Sequence, residues 1–404
     1  MTASVAQPAR TRASFTLLLA AMTAVGPLSI DMYLPSLPTL VRELHATPAA
    51  GQETVAVFFA GLAIGQLFYG VASDRYGRRA PLLFGFGLFT VASVAAALAA
   101  DMNSLILARI VQSVGACAGM VITRAIVRDN FDHAGSARFF SLLALVAGCA
   151  PILAPSIGSV ILTFAGWRAI FVVLAVFGGA VFLCALWLLP ESRSAAVAAQ
   201  ARLEHPFRAY WRLVTHRRLL GYLLAGACNS ACMFTYIASA ATVLMGAYHV
   251  SPPMFGLLFG INSVGLIGGS QLNRVLLRRY SPDQVLAGAA VVSVLCAATV
   301  IVAALLPIGV WPLIGALFVT IASSSLIQAN GLAGALAVDG SRAGSAAALF
   351  GASGFGLGAA AASIAGAFSD GTALPMAVVL TACLVGCAAA LFGMALRSER
   401  PAAA

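Results

Sequence analysis

The chain has 404 residues, of which 61% are hydrophobic and only 9% are charged, and its formal net charge is +10. Soluble domains carry about 25% charged residues. A chain this apolar cannot hide its surface in its own core, which excludes a soluble fold and indicates that lipid is its solvent.

Twelve apolar stretches follow one another along the chain, each long enough to cross a bilayer, which takes about 20 mostly apolar residues per helix. They are predicted at 14–38, 51–72, 81–100, 104–126, 138–163, 168–189, 219–246, 254–273, 284–305, 310–333, 344–368 and 375–396. These runs are continuously apolar, whereas the strands of a membrane β-barrel alternate over about 10 residues. The predicted fold class is therefore an all-α integral membrane protein.

The positive charge follows the predicted topology. All 23 basic residues are arginines. In the twelve-span topology only Arg42 and Arg168 fall on one side, Arg109 lies within a span, and the other arginines share the opposite side. Clustered arginines in short loops stay in the cytoplasm, which predicts a multi-pass membrane protein with two cytoplasmic termini. The charge orients the protein and does not indicate a nucleic-acid partner.

The longest polar interruption separates six predicted spans from six more. This organisation is typical of transporters built from two parallel repeats. The predicted segments are a cytoplasmic N-terminus at 1–13, a six-helix half at 14–189, a cytoplasmic linker at 190–218, a second half at 219–396 and a cytoplasmic tail at 397–404.

Several segments carry a family resemblance. GQLFYGVASDRYGRRAPLL (65–83) resembles the signature that major facilitator transporters have between their second and third helices. SIDMYLPSLP (29–38), TRAIVRD (123–129) and AGCAPILAPSIG (147–158) resemble the bicyclomycin/chloramphenicol-resistance (Bcr/CflA) family of drug:proton antiporters. The resemblance implies the major facilitator fold, with 12 transmembrane helices in two six-helix halves. One departure is Ala352-Ser353, where that family is expected to have Leu-Gln.

The 65–83 motif and the cytoplasmic end of the fourth span predict a charged gate. Gly70 is expected to allow close helix packing, Asp74 to accept hydrogen bonds, and Gly77 to allow a tight turn. Arg124 lies roughly 22 Å along its helix from Arg109, which places it at the gate. Ion pairs made and broken during alternating access are one interpretation, and simple positive-inside anchoring is the other. The predicted gate residues are Gly70, Asp74, Arg75, Gly77, Arg78 and Arg124.

The fifth predicted span carries Gly148, Pro151, Pro155 and Gly158 at helical spacing. Proline removes backbone donors and bends the helix, while glycine lets a neighbouring helix approach. The resemblance associates this motif with export, and the alternative is the ordinary Gly and Pro content of membrane helices.

Ionisable residues at membrane depth are costly and therefore indicate function. Only Asp31 among the acids and Arg109 among the bases lie inside predicted spans. Their depths differ by only ~5 Å, so the two side chains could meet in a central cavity. The hypothesis is that Asp31 carries the coupling proton and Arg109 modulates it. A static ion pair, or a carboxylate that attracts cationic drugs, is the alternative.

A site for varied apolar drugs is expected to be mostly apolar with a few convergent polar groups. Polar and aromatic residues within the predicted spans are the candidates, although each aromatic alone is more often a packing residue. The predicted substrate contacts are Tyr33, Gln112, Tyr236 and Asn330.

The resemblance therefore implies a proton-coupled multidrug efflux transporter that exports small molecules such as chloramphenicol or bicyclomycin. The alternative is a transporter of the same fold for an ordinary metabolite, such as an amino acid, a sugar or a siderophore. An intramembrane enzyme is not expected, because no histidine is buried and Asp31 stands alone. Partners other than substrate, protons and lipid are not expected, nor is a metal or cofactor, and the chain is expected to be monomeric.

Overall fold

The computed structural model describes residues 13–193, 211, 213–306, 309–338 and 343–396. Regular secondary structure in these residues is entirely helical. The C-terminal tail, nearly all of the N-terminal segment and most of the predicted linker lie outside the described residues.

Twelve α-helices are distinguished in the described chain. The first six are α1 (Ala13–Asp31), α2 (Leu37–Glu43), α3 (Pro48–Tyr76), α4 (Arg79–Ala97), α5 (Met102–Asn130) and α6 (His133–Leu188). The other six are α7 (Arg217–Ala241), α8 (Pro252–Leu276), α9 (Pro282–Leu305), α10 (Val310–Val338), α11 (Ala343–Ala367) and α12 (Leu374–Ala390). α7 and α12 each continue into a π-helical turn, at Thr242–Ala247 and Leu391–Ala395.

Local sequence signals set several of the helix ends. Asp101 and Ser104 form a reciprocal capping box at the start of α5. Ser281 and Gln284 form a second one at the start of α9. Each box satisfies backbone N–H groups that the first helical turn leaves without a partner. Both helices therefore begin where the apolar run begins.

α6 accounts for two of the predicted spans. Its apolar part, Gly148–Leu188, is 41 residues long, or roughly 60 Å at the rise of an α-helix, about twice the thickness of the hydrocarbon core. Gly166 interrupts the helix with a φ of 76°, a value that glycine adopts readily. Counted this way, the eleven membrane-length helices found among the described residues match the twelve predicted spans.

The helices form two bundles, the N-half (α1–α6) and the C-half (α7–α12). The halves meet along two seams, where α3 packs on α11 and α6 packs on α8. The predicted arrangement of two six-helix halves is confirmed. On the outside, large apolar side chains such as Leu107, Leu295 and Trp187 are exposed, as a lipid-facing surface requires.

The two ends of the bundle differ in charge and in contact between the halves. The arginine-rich end carries the turn between α3 and α4 and the turn between α8 and α9. At the opposite, distal end, Gln52 of α3 bonds two C-half residues, Ser239 at 3.2 Å and Ser369 at 3.4 Å. The Ser159 hydroxyl donates to the Pro252 carbonyl at 3.1 Å. In the described chain, all hydrogen bonds that join the halves lie near the distal end.

Candidate functional site

The first membrane span is broken in its middle. α1 contains Pro27 and ends at Asp31, a 3₁₀ turn follows at Leu34–Ser36, and α2 then completes the crossing. Pro35 within the turn and Pro38 at the start of α2 each lack a backbone N–H donor. Non-helical backbone at membrane depth is tolerated where it is buried in protein or lines a cavity. The break therefore marks a candidate site inside the bundle.

Asp31 is the acid at this break. Its side chain is only 3% exposed, and it makes no hydrogen bond or ion pair with any described residue. The Tyr236 hydroxyl of the C-half lies within electrostatic range of the carboxyl group. Burying an ionised carboxylate without a partner costs several kcal/mol. Among the described residues, the Asp31 carboxyl group thus has neither a hydrogen-bond donor nor a cation as its partner.

Arg109 is fully buried but does not pair with Asp31. Its Nη1 donates to the Ser29 carbonyl at 3.0 Å and to Gln112 Oε1 at 2.6 Å. The guanidinium also lies over the rings of Tyr33 and Phe58, at 4.3 and 4.2 Å from their centroids. The predicted juxtaposition of the two charges does not yield an ion pair. The break in α1 leaves the Ser29 carbonyl without its helical donor, and Arg109 takes that place as a helix C-terminal cation.

Two of the predicted substrate contacts support Arg109. Gln112 is fully buried and extends the hydrogen-bond network of Arg109, because its Nε2 donates to Ser93 Oγ at 2.8 Å. The Tyr33 hydroxyl is 2.7 Å from Thr54 Oγ1. Both side chains have their polar atoms occupied within the N-half in this state.

The other two predicted contacts lie in different parts of the C-half. The Tyr236 hydroxyl accepts a hydrogen bond from Asn262 Nδ2 at 2.8 Å, next to the break in α1. Asn330 Nδ2 donates to Asn273 Oδ1 at 2.7 Å, toward the arginine-rich end of α8 and α10. The structure therefore brings Tyr33 and Tyr236 to the break but bonds Asn330 into a separate amide pair.

An aromatic stack spans the two halves, and its three rings are among the aromatic candidates within the predicted spans but not among the predicted substrate contacts. Phe59 of α3 stacks on Phe234 of α7 with 4.2 Å between ring centroids. Phe234 stacks on Phe355 of α11 at 5.0 Å and 7° between planes. Spacing within one helix gave no signal for this stack, because each ring comes from a different helix.

The Gly/Pro face of α6 packs directly on the break. A Cβ at Gly158 would collide with the carbonyl oxygen of Met32, the residue after Asp31. At Gly148 a Cβ would meet Ile267 of α8 at 3.6 Å, an ordinary contact. Pro151 and Pro155 both lie inside the helix between them. This face of α6 thus connects the acid at the break with the seam between the halves.

The predicted charge cluster is present at the arginine-rich end. The buried Arg78 donates to Asp74 Oδ1 at 2.5 Å, to Asp129 Oδ2 at 2.8 Å and to the Ser73 hydroxyl at 3.1 Å. Burial alone would lower the pKa of Arg78. The hydrogen bonds and charges of Asp129 and Asp74 outweigh this effect, so the pKa is raised above its ordinary value. Arg78 is therefore a fixed cation shared by α3 and α5.

Glu191 completes this cluster, and the sequence motif did not indicate it. Its carboxylate accepts from the backbone N–H of Arg78 at 2.8 Å and of Arg79 at 3.1 Å. Gly77 has a φ of 95°, which confirms the predicted tight turn and points these N–H groups at Glu191. Burial opposes ionisation, but the backbone donors outweigh it and hold the pKa of Glu191 below its ordinary value.

Three predicted gate residues have other surroundings. The Arg75 side chain is exposed, and its carbonyl accepts from Arg193 Nη1 at 2.6 Å. Arg124 is exposed and takes part in none of the ion pairs among the described residues. A Cβ at Gly70 would have no described neighbour within 4 Å. The expectation of close packing at Gly70 is wrong in this state, because α3 faces open space there.

Known proteins resemble this chain along nearly its full length. A family model described as Major Facilitator Superfamily matches residues 19–363. The "Uncharacterized MFS-type transporter YdgK" of Bacillus subtilis (strain 168) is 32% identical over 389 residues, which are 95% of this chain and 96% of that protein. The "Bicyclomycin resistance protein homolog" of Haemophilus influenzae is 30% identical over 374 residues, covering 92% of this chain and 93% of that protein.

The architecture also matches a solved structure. A bacterial homolog of the human lysosomal transporter Spinster, in an inward-facing and occupied conformation, superposes with a TM-score of 0.73. The match covers 98% of both chains at 15% sequence identity, which makes it a likeness of fold.

Proposed function

The chain belongs to the major facilitator superfamily of membrane transporters, and from this premise we propose that it exports small drug-like molecules in exchange for protons. The similarity to a protein named for bicyclomycin resistance supports a drug substrate, and bicyclomycin and chloramphenicol are the first compounds to test. The proposal keeps the predicted site at the break in α1.

The observation that carries the proposal is the unpartnered Asp31 carboxyl group, 3% exposed at a broken helix. A carboxyl group buried away from cations is accommodated more cheaply as the neutral acid, and exposure to water favours its ionised form. If the cavity opens to each side of the membrane in turn, such a group can take up a proton from one side and release it on the other. Asp31 is therefore the proposed proton carrier.

The packing of α6 supports a route from this proton to the moving parts. Gly158 holds α6 against the backbone at Met32, and the same helix forms one of the two seams with α8. A change in charge at Asp31 acts on the turn against which α6 is packed. We propose that Gly148, Pro151, Pro155 and Gly158 make α6 the element that transmits this change.

Arg109, Tyr33 and Gln112 have a supporting role in this proposal. Their mutual contacts fix the end of α1 and so the position of Asp31. Tyr236 faces Asp31 from the C-half and is the stronger candidate for contact with substrate. Asn330 remains a predicted contact only for a state in which its bond to Asn273 opens.

We propose that the arginine-rich end and both termini face the cytoplasm of a bacterial inner-membrane protein, because clustered arginines stay on the cytoplasmic side. The hydrogen bonds between the halves then lie on the outer side, as expected of an inward-facing state. The cluster of Arg78, Asp74 and Asp129 is proposed as the cytoplasmic gate, with Arg75 and Arg124 beside the opening.

The test uses the purified chain in proteoliposomes with an imposed pH gradient and follows proton flux triggered by chloramphenicol or bicyclomycin. Wild type is expected to show drug-triggered flux, Asp31→Asn to abolish it, and Asp31→Glu, which keeps a titratable carboxyl group, to retain part of it. Glu53→Gln, which removes an acid of α3 outside the break, is the matched control and is expected to behave as wild type. Undiminished flux in Asp31→Asn would refute the proton carrier. If none of the drugs tested triggers proton flux, drug export is refuted and a metabolite substrate is favoured.

A further inference from the structure

An apolar groove lies on the outside of the C-half, between the end of α8, the start of α9 and the middle of α10. Its volume is about 420 Å³, and its walls include Leu272, Leu276, Val292, Phe318, Val319 and Leu326. Leu272, Val292 and Val319 are 51%, 42% and 41% exposed, so the groove opens toward lipid and not toward the central cavity. Its size and lining suit a hydrocarbon chain.

The groove ends at a basic turn. Tyr280 and Gln284 lie at its arginine-rich end, and Arg278 and Arg279 stand beside them in the turn between α8 and α9. Both arginines are exposed, and neither guanidinium makes a hydrogen bond or an ion pair with a described residue. Asp283, the acid of this turn, is engaged by the Tyr222 hydroxyl at 2.7 Å and by Arg218 at 3.4 Å.

The corresponding turn of the N-half shows that free arginines are not required there. Between α3 and α4, Arg78 is held in ion pairs with Asp74 and Asp129, and Arg79 Nη2 donates to the Leu186 carbonyl at 2.6 Å. The N-half turn thus engages both Arg78 and Arg79 in side-chain contacts within the protein. The C-half turn presents two guanidinium groups to the membrane surface at the mouth of an apolar groove.

We propose that this groove binds an anionic glycerophospholipid, with one acyl chain between α8, α9 and α10. Arg278 and Arg279 hold the phosphate, since guanidinium groups bind phosphate oxygens through paired, charge-assisted hydrogen bonds. The Tyr280 hydroxyl and Nε2 of Gln284, whose Oε1 already accepts from the Ser281 N–H, are available to bond the headgroup. A zwitterionic headgroup brings its own cation to the two arginines and binds less well. This proposal requires only that the chain is a membrane protein, and it does not depend on the proposed drug or proton transport.

The experiment titrates the purified full chain in detergent with phosphatidylglycerol or phosphatidylcholine of identical acyl chains and counts bound lipid by native mass spectrometry. Wild type is expected to bind phosphatidylglycerol more tightly. A basic residue at the surface contributes about fivefold to the binding of an anionic lipid, so Arg278→Gln/Arg279→Gln is expected to lose roughly 30-fold. A Cβ at Gly288, which lines the groove, meets no described neighbour within 4 Å. Gly288→Leu is therefore expected to fill the groove and weaken both lipids.

Matched variants separate a built site from general surface charge. Arg128→Gln/Arg138→Gln removes two exposed arginines of the same end outside the groove, and Gly393→Leu adds the same bulk at an exposed glycine with open space. Both are expected to bind phosphatidylglycerol as wild type does. Equal binding of the two lipids, an equal loss in the Arg128/Arg138 variant, or full binding by a folded Gly288→Leu chain would each overturn the proposal. Circular dichroism and gel filtration establish that each variant is folded.

Discussion

Replacing Gln52 with alanine should open the distal end of the bundle. Gln52 is only 1% exposed, and its amide bridges the halves by accepting from Ser239 Oγ at 3.2 Å and donating to Ser369 Oγ at 3.4 Å. The Ser159–Pro252 bond is the other described hydrogen bond between the halves. Gln52→Ala removes two of these three bonds and leaves the apolar seams in place.

The size of the effect follows from the bond lengths. A protein hydrogen bond contributes about 0.5–1.5 kcal/mol net, and separations of 3.2 and 3.4 Å are at or beyond the long end of the usual range. We therefore take about 0.5–1 kcal/mol for each bond, or about 1–2 kcal/mol together. The ratio of distal-open to distal-closed molecules is expected to rise by roughly 5- to 30-fold.

The assay is double electron–electron resonance between spin labels at the distal end of each half. Leu98 and Trp311 suit this purpose because they are 76% and 65% exposed, and genetically encoded keto amino acids avoid labelling the native cysteines. Gln52→Ala should increase the long-distance population. Gln66→Ala is the matched control, since Gln66 lies on the same helix and faces Gly351 of α11, but its side chain makes no hydrogen bond to a described residue. An unchanged distribution in Gln52→Ala, or an equal change in Gln66→Ala, would refute the reasoning.

Two further predictions concern packing and pH. Gly158→Ala should destabilise the chain by about 1–3 kcal/mol in thermal unfolding, because the added Cβ would meet the Met32 carbonyl. Gly70→Ala is the control and should change stability by less than about 0.5 kcal/mol. Equal effects of the two substitutions would refute the packing argument. Burial opposes ionisation of Glu191, but backbone donors including that of Arg78 hold its pKa below the ordinary value of 4.5. The ionised carboxylate therefore stabilises the fold above pH 4.5, and this stabilisation is lost as pH falls through the folded-state pKa. Glu191→Gln should therefore flatten the acid limb of melting temperature against pH, and an unchanged limb would contradict this.

The fold was predictable because lipid imposes a simple rule on sequence. Each crossing needs an apolar run of fixed length, and even the division of α6 at Gly166 appeared as two predicted spans. Depth was also predictable, since residue counts along a helix place Asp31 and Arg109 at similar levels. A hydropathy pattern does not predict how each helix is rotated about its axis. It also does not predict which backbone atoms a helix break leaves without a hydrogen-bond partner. Arg109 bonds the Ser29 carbonyl for that reason, and no spacing rule could show it.

The charge cluster at the arginine-rich end shows the same limit at longer range. Asp74 and Arg78, both of which the motif contains, form an ion pair because they are four residues apart on one helical face. Glu191 lies more than one hundred residues away from Arg78 in the sequence and reaches it only when the end of α6 returns to the turn after α3. Gly70 failed as a packing residue because its role depends on how close a neighbour stands in one particular state.

The contacts of Arg109 decide how Asp31 can be used. Nη1 of Arg109 holds the Ser29 carbonyl and Gln112, and any shift of the guanidinium that broke these bonds would leave buried groups without partners, which is costly. Since Asp31 follows Ser29 by two residues, Arg109 can instead hold the turn while the carboxyl group changes charge. In the proposed mechanism, proton binding would act through the position of the turn on α6, which touches it at Gly158, and not through a broken salt bridge. Under this proposal a single acid at membrane depth is sufficient, because the packing of α6 between the acid and the seam with α8 would carry the coupling.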